Sequence, residues 1–299
     1  MPRKRVQFDF DIDFSNGGGL RGEAFRLDIG ADDIDDDALA DAIVRDLRLL
    51  MVAAVRIRNK VIVDEPHKRA TSEATTAGAS ARLVDLSHAI EDGMVTYKGL
   101  PAPLICDHLT RADSRAHYAP GTEFQIGRIT MVANTGTYID SPFHRFSDGA
   151  DVADFELASI AGLEAVVVHL DGKRDRAIAR GELAAFDVEG KAVLVHTGWS
   201  RHWRTDAYFE NHPFLTAEAA TYLRDAGARL VGIDSLNIDD TADATRPVHT
   251  TLLGAGIPIV EHLTRLDALP ASGARFSAVP PKVRGLGTFP VRAFATLVP

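Results

Sequence analysis

Between residues 134 and 144 the chain reads Asn134-Thr-Gly-Thr-Tyr138-Ile-Asp140-Ser-Pro142-Phe-His144, and two of these side chains could hold a cation. A carboxylate oxygen and an imidazole nitrogen are a usual donor pair for zinc or manganese. Asp140 and His144 project from a segment stiffened by Pro142, just after Thr135-Gly136-Thr137 interrupts a strand-like run from Phe124 to Val132. Glycine at such a break lets backbone approach a ligand closely. Residue types alone leave two readings: a hydrogen-bonded structural couple, the commoner case, or the beginning of a metal site.

Further candidates lie downstream. His196 stands between an apolar run and Thr197-Gly198-Trp199, where an α/β site would open, although a satisfied structural histidine fits that position equally well. Trp199, His202, Trp203, Tyr208, Phe209 and Phe214 gather aromatic rings within a short polar stretch. They could sandwich an aryl ring or simply pack a surface loop, the commoner outcome. His202 and His212 read as ordinary surface residues, and His262 would point away from Glu261 if their segment is extended. Asp234, Asn237, Asp239, Asp240 and Asp243 form an acidic patch before Arg246. The spacing, without an interior glycine, does not fit a calcium loop. It suggests a loop that buttresses a site, with Arg246 as a clamp for a substrate carboxylate.

Such groups need a scaffold, and the chain provides two patterns. Phe8, Phe10, Ile12 and Phe14 alternate with polar residues, Asn16-Gly17-Gly18-Gly19 is a turn cluster, and Glu23 to Ile29 reads as a return strand. Asp35-Asp36-Asp37 places negative charge at a helix start, followed by Leu39, Ile43, Leu47 and Leu50 at helical spacing and a β-rich stretch from Val52 to Val63. Residues 1–69 are therefore predicted to form a small ββαβ unit, a spacer or dimerisation element too small to bury much surface alone. Residues 70–81, rich in Ala, Thr, Ser and Gly, read as a linker. In residues 82–299 apolar runs at Ala165–Val168, Ala192–Val195, Leu230–Ile233 and Ile257–Val260 alternate with helical patterns, one capped by Thr216 and ended by Gly227, another around Thr251 to Leu253. That alternation predicts an α/β or α+β domain with its site at strand ends. Pro258 argues against a central place for the last of these strands.

Composition excludes several classes. The net charge of −9 opposes a general nucleic-acid or anionic-membrane binder. Cys106 is the single cysteine, which rules out an internal disulfide and cysteine-rich zinc sites and suits a small core residue. No apolar run approaches a membrane span. The acids alternating through Phe8 to Phe14 leave no secretory core, so a cytoplasmic protein is expected.

Taken together, these motifs resemble the cyclase family, which includes bacterial kynurenine formamidases and isatin hydrolase. Gly136, Thr137, Asp140, Pro142 and His144 match its H-x-G-T-H-x-D-x-P-x-H signature, whereas Asn134 and Tyr138 stand where it carries histidines. Asp85-Leu86-Ser87-His88, Gly93-Met94, Tyr97, Asp148-Gly149, Thr197-Gly198-Trp199, Gly232-Ile233-Asp234-Ser235, His249, Glu261, Pro281-Lys282-Val283 and Pro290-Val291-Arg292-Ala293 are also similar to family landmarks, from about Leu83 to Ala295.

The resemblance implies the family's swivelling β/β/α architecture, in homodimers or homotetramers. It also implies a divalent metal, zinc or manganese. The matched ligands are Asp140, His249 and Glu261, with His144 as ligand or proton carrier and Asn134 as a weaker amide donor. Loss of two histidines points to one metal rather than two. His88, Thr137, His196, Trp199 and Arg246 are the candidates for holding a small, aromatic substrate. The implied reaction is hydrolysis of a C–N bond in an amide, N-formyl group or small cyclic amide, as in the arylformamidase step of tryptophan breakdown. Two alternatives stay open. One is a metal-independent lyase or cyclising enzyme on the same fold, with Tyr138, Asp140, His144 and Glu261 as acids and bases. The other is a non-catalytic binding or scaffold protein.

Overall fold

The computed structural model describes residues 4–15, 17–29, 32–47, 49, 52–63 and 81–297. Asn16, Leu50 and residues 70–80 of the expected linker lie outside the described residues. The chain divides into two compact units, Met1–Ala79 and Ser80–Pro299.

The first unit is a ββαβ arrangement of β1 (Lys4–Phe14), β2 (Gly19–Ile29), α1 (Asp36–Asp46) and β3 (Val52–Val63). β1 is the middle strand, antiparallel to both neighbours. Its alternation buries Val6, Phe8, Phe10 and Ile12, and α1 lays Leu39 and Ile43 into the same small core. Asp35 caps α1 by accepting from the Ala38 amide at 2.7 Å, as the acidic run leads one to expect. The other face is charged: Asp11 pairs with Arg21 and Arg58, and Asp13 with Arg56.

The second unit is mixed α/β. Its strands are β4 (Arg82–Asp85), β5 (Leu104–Leu109), β6 (Ile126–Thr130), β7 (Tyr138–Asp140), β8 (Leu163–His169), β9 (Ala177–Ile178), β10 (Ala192–His196), β11 (Phe214–Leu215), β12 (Leu230–Ile233), β13 (Ile259–Glu261), β14 (Ala274–Ser277), β15 (Thr288–Pro290) and β16 (Phe294–Leu297). Helices α2 (Arg111–Ser114), α3 (Arg180–Leu183), α4 (Ala217–Asp225) and α5 (Pro247–Gly254) connect them. Nine strands form one sheet in the order β15-β7-β13-β12-β10-β8-β14-β16-β4. Its middle, β8, β10, β12 and β13, is parallel, and antiparallel strands flank it on both sides. The parallel strands read as continuous apolar runs because both faces are covered. Val167, Leu194 and Val260 bury on one side with Ile139 and Phe276; Val166, Val193 and Val231 bury on the other beneath α4 and α5. Thr216 caps α4 by accepting from the Ala219 amide.

β13 lies inside the sheet, contrary to expectation. Pro258 precedes the strand rather than interrupting it, and its carbonyl still accepts from the Val231 amide. Among the described residues no helix is long and apolar enough to cross a membrane.

Candidate functional site

Strand pairing assembles the site. Tyr138 and Asp140, two residues apart on β7, present side chains to one face while Ile139 enters the core on the other. Across the ladder Tyr138 is opposite Glu261 on β13, and Asp140 is opposite Thr288 on β15. Both pairs bond through their side chains. The Tyr138 hydroxyl donates to Glu261 Oε2 at 2.5 Å, and the Thr288 hydroxyl donates to Asp140 Oδ1 at 2.7 Å.

His144 arrives on the single 3-10 turn Pro142–His144 that follows β7. Two glycines hold that turn against its surroundings. A Cβ on Gly149 would meet the Pro142 backbone at 2.6 Å, and one on Gly287 would meet the His144 backbone at 2.5 Å. His144 Nδ1 lies 2.9 Å from the Thr288 oxygen. Since that hydroxyl already gives its proton to Asp140, Nδ1 must be the donor to it, and the Nε2 lone pair is left free.

His249 comes from the first turn of α5, after Pro247 at the position where a missing amide proton costs nothing. The Asp239 carboxylate caps this helix from the loop that leads into it, accepting from the Val248 amide at 2.7 Å and the His249 amide at 3.1 Å. It also takes the His249 Nδ1 proton at 2.6 Å, so His249 likewise offers Nε2. This carboxylate–imidazole pairing orients metal-binding histidines.

The two Nε2 atoms converge on Asp140. His249 Nε2 lies 3.6 Å from Asp140 Oδ2 and 3.7 Å from Glu261 Oε1, and His144 Nε2 lies 3.9 Å from Asp140 Oδ1. Asp140 Oδ2 is buried with no hydrogen-bond partner. An orphaned carboxylate oxygen 3.6 Å from an imidazole nitrogen, with a second imidazole close to the other oxygen, is what a divalent cation would satisfy. Asp140 and His249, with Glu261 Oε1 3.7 Å from His249, therefore fit a zinc- or manganese-class ion, and His144 stands beside them.

The charges follow from burial and neighbours. Burial opposes ionisation of Asp140, but His249, His144 and Thr288 outweigh it and hold the carboxyl below its usual range. Burial also opposes charge on His249, yet Asp140, Asp239 and Glu261 raise it to about 10, so a metal binding at Nε2 would displace a proton from it. Glu261 is pushed up to about 7 by burial first, with Asp140 adding repulsion and His249 opposing. Burial, then the charges of Glu261 and Asp140, drive the Tyr138 phenol well above its ordinary value, so it remains a donor.

A cleft of about 460 Å³ opens onto this group. Asn134, Tyr138, His144, His249 and Glu261 line it with Asn237 on the inner side; Tyr97, Leu100, Lys98, Arg145 and Arg246 line it towards the mouth. Arg246 is held by its Nη1 donating to the Asp240 carbonyl.

Other candidates lie elsewhere. Thr137 is buried and clamps backbone, donating to the His262 carbonyl and accepting from the His88 amide. Gly136 has φ +68°, but the side chain of Ile90, not a ligand, fills the space before it. The His88 ring stacks on Trp203 at 4.0 Å instead of facing the cleft. The aromatic stretch mostly packs on itself: Trp199 stands against His202, Trp203 and Phe209 stand against Tyr208, and Trp199 Nε1 donates to the Tyr208 carbonyl. His196 faces His169 and Asp171. His212, expected at the surface, is buried because Pro213, Thr241 and Ser235 satisfy its ring. Sequence reasoning missed Asp239 as the partner of His249, although it lies in the acidic patch, and missed Thr288, for which no signal existed.

Residues 84–240 match the Cyclase family. A kynurenine formamidase of Geobacillus thermodenitrificans is 35% identical over 183 residues, 60% of this chain and 84% of that protein. Among solved structures, a potential metal-dependent hydrolase with cyclase activity aligns with a TM-score of 0.60 at 28% identity, over 74% of this chain and 100% of the other. Isatin hydrolase A from Labrenzia aggregata, bound to benzyl benzoate, aligns with a TM-score of 0.64 at 24% identity, over 73% and 94% of the two chains, and so shares the fold.

Proposed function

The chain belongs to the cyclase family, and from that premise we propose that it is a metal-dependent hydrolase of C–N bonds in amide, N-formyl or small cyclic amide substrates, with arylformamidase activity. The observation that carries this reading is the convergence of His144 Nε2 and His249 Nε2 on the Asp140 carboxylate, whose Oδ2 has no other partner. When bound there, a zinc or manganese ion would polarise a substrate carbonyl and lower the pKa of water.

The chain's own residues then have distinct tasks. Asp140 and His249 would hold the ion, with Glu261 completing the set. His144 is the proton carrier: it is more exposed than His249, and Thr288 fixes its Nδ1 proton so that Nε2 can accept and return another. Tyr138 donates to Glu261 and keeps Oε1 turned towards His249. The cationic rim of Lys98, Arg145 and Arg246 suits a substrate bearing a carboxylate.

The test is hydrolysis of N-formylkynurenine and formanilide by protein purified without chelator. Turnover should vanish on chelation, return with zinc or manganese, and be absent in His249→Ala. Turnover indifferent to chelator would mean metal-independent hydrolysis, and no turnover of either substrate would favour the metal-independent lyase or cyclase reading. One observation speaks for that alternative: the short, fully buried bond between Tyr138 and Glu261 is itself an acid–base pair.

A further inference from the structure

A second cluster of metal-binding side chains lies outside the cleft. β8 and β10 are parallel and in register, so that His169 and His196 are opposite one another at their C-terminal ends. The rings meet edge to face, with Nδ1 3.0 Å from Nδ1. Asp171, two residues beyond His169, brings Oδ1 to 3.7 Å from His196 Nδ1. One donor atom from each of the three residues lies within 4.8 Å of the other two.

We propose that His169, Asp171 and His196 form a second divalent-metal site, selective for ions of the zinc, nickel or copper class. Donor atoms around a tetrahedral zinc stand about 3.3 Å apart, given bonds of about 2.0–2.1 Å. The observed 3.0 and 3.7 Å bracket that spacing. Two imidazoles favour these metals over magnesium or calcium, which take oxygen ligands.

The backbone has already fixed the donors. The Leu170 amide donates to the His196 carbonyl at 2.7 Å, and Lys173 closes a turn onto Leu170, which presents Asp171. On the other strand, the buried Asp234 carboxylate accepts from the Thr197 amide and hydroxyl and from the Gly198 amide, anchoring the chain directly after His196. Little ordering is therefore left for the ion to impose. His196 is buried and shields one side, whereas His169 and Asp171 are exposed and leave an entry path. None of the three lines the cleft. The ion would clamp two core strands where β10 leads into the segment carrying Trp199 and Trp203.

Zinc stoichiometry after chelator stripping, zinc reloading and gel filtration tests this site, using full-length chains. Wild type should retain about two equivalents and His169→Ala about one. Asp140→Asn/His249→Ala should also retain about one, which His169→Ala then removes. His169 is exposed, so its loss should leave the circular dichroism spectrum unchanged. If the Asp140→Asn/His249→Ala protein does not fold, the wild type and His169→Ala pair still decides. A single equivalent that disappears in His169→Ala but survives in His249→Ala would support this site and sink the one in the cleft. Unchanged stoichiometry in His169→Ala, or zinc held there more weakly than about 0.1 mM, would overturn the proposal and leave a plain imidazole–imidazole hydrogen bond.

Discussion

At Glu261 a carboxylate is fully buried, and its Oε2 relies on Tyr138, since Asn237 offers only a 3.4 Å contact. Tyr138→Phe should therefore cost about 1–3 kcal/mol of stability, the penalty for stranding a buried acceptor, read as a lower midpoint in urea denaturation. An unchanged midpoint would show that the phenol is not what satisfies Glu261. His88 supports a second expectation. Burial beside Trp203 depresses it to about 4, whereas an unfolded histidine titrates near 6.5. Between those values the unfolded chain binds the extra proton, so this contribution is whole above pH 6.5 and is lost as pH falls towards 4. His88→Gln should flatten the fall in Tm across that window, and an equally steep fall would assign the acid sensitivity to other groups. Asp140 and His144 stood out by residue type and spacing, and His249 and Glu261 only through resemblance to the family; the fold brings the four together. Asp239 and Thr288 were not legible, because each acts through a neighbour that only the folded register supplies. Thr288, for example, meets Asp140 across 148 positions of sequence.

Elements were easier to read than their order. Period-two alternation marked β1, and continuous apolar runs marked β8, β10 and β12, since these patterns follow from which faces are covered. The insertion of β7 between β15 and β13 left no local trace, and it is this insertion that builds the site. The glycines around the turn that carries His144 give a test at this scale. Gly287→Ala would push a methyl into the His144 backbone, 2.5 Å from the position of its Cβ. Displacing a reacting group by about 1 Å costs on the order of 100-fold in rate. Turnover should fall by about that factor in a protein whose near-ultraviolet circular dichroism is otherwise native; full activity would show that the turn yields freely.

Across the molecule, the β5–β6 hairpin leaves Leu104, Phe124, Ile126 and Ile129 exposed. Light scattering is expected to give the mass of a homodimer or homotetramer of this 32.3 kDa chain, and Ile129→Lys should shift that mass downwards. A monomeric wild type would remove the expectation taken from family resemblance. The ββαβ unit was readable from alternation and its acidic helix start, whereas the pairing of Asp11 and Asp13 with arginines on both neighbouring strands needed the register. The distance in sequence between β7 and its two partners also sets a timetable. During synthesis Asp140 leaves the ribosome well before Glu261, and Thr288 follows later still. The parallel strands β8, β10 and β12 can collapse in the interval, but β7 has no ladder until β13 emerges, and its second partner, β15, comes later still. A nascent chain halted before Ile259 would hold β8, β10 and β12 without either ladder that fixes Asp140, so that carboxylate would take its place only after the parallel core.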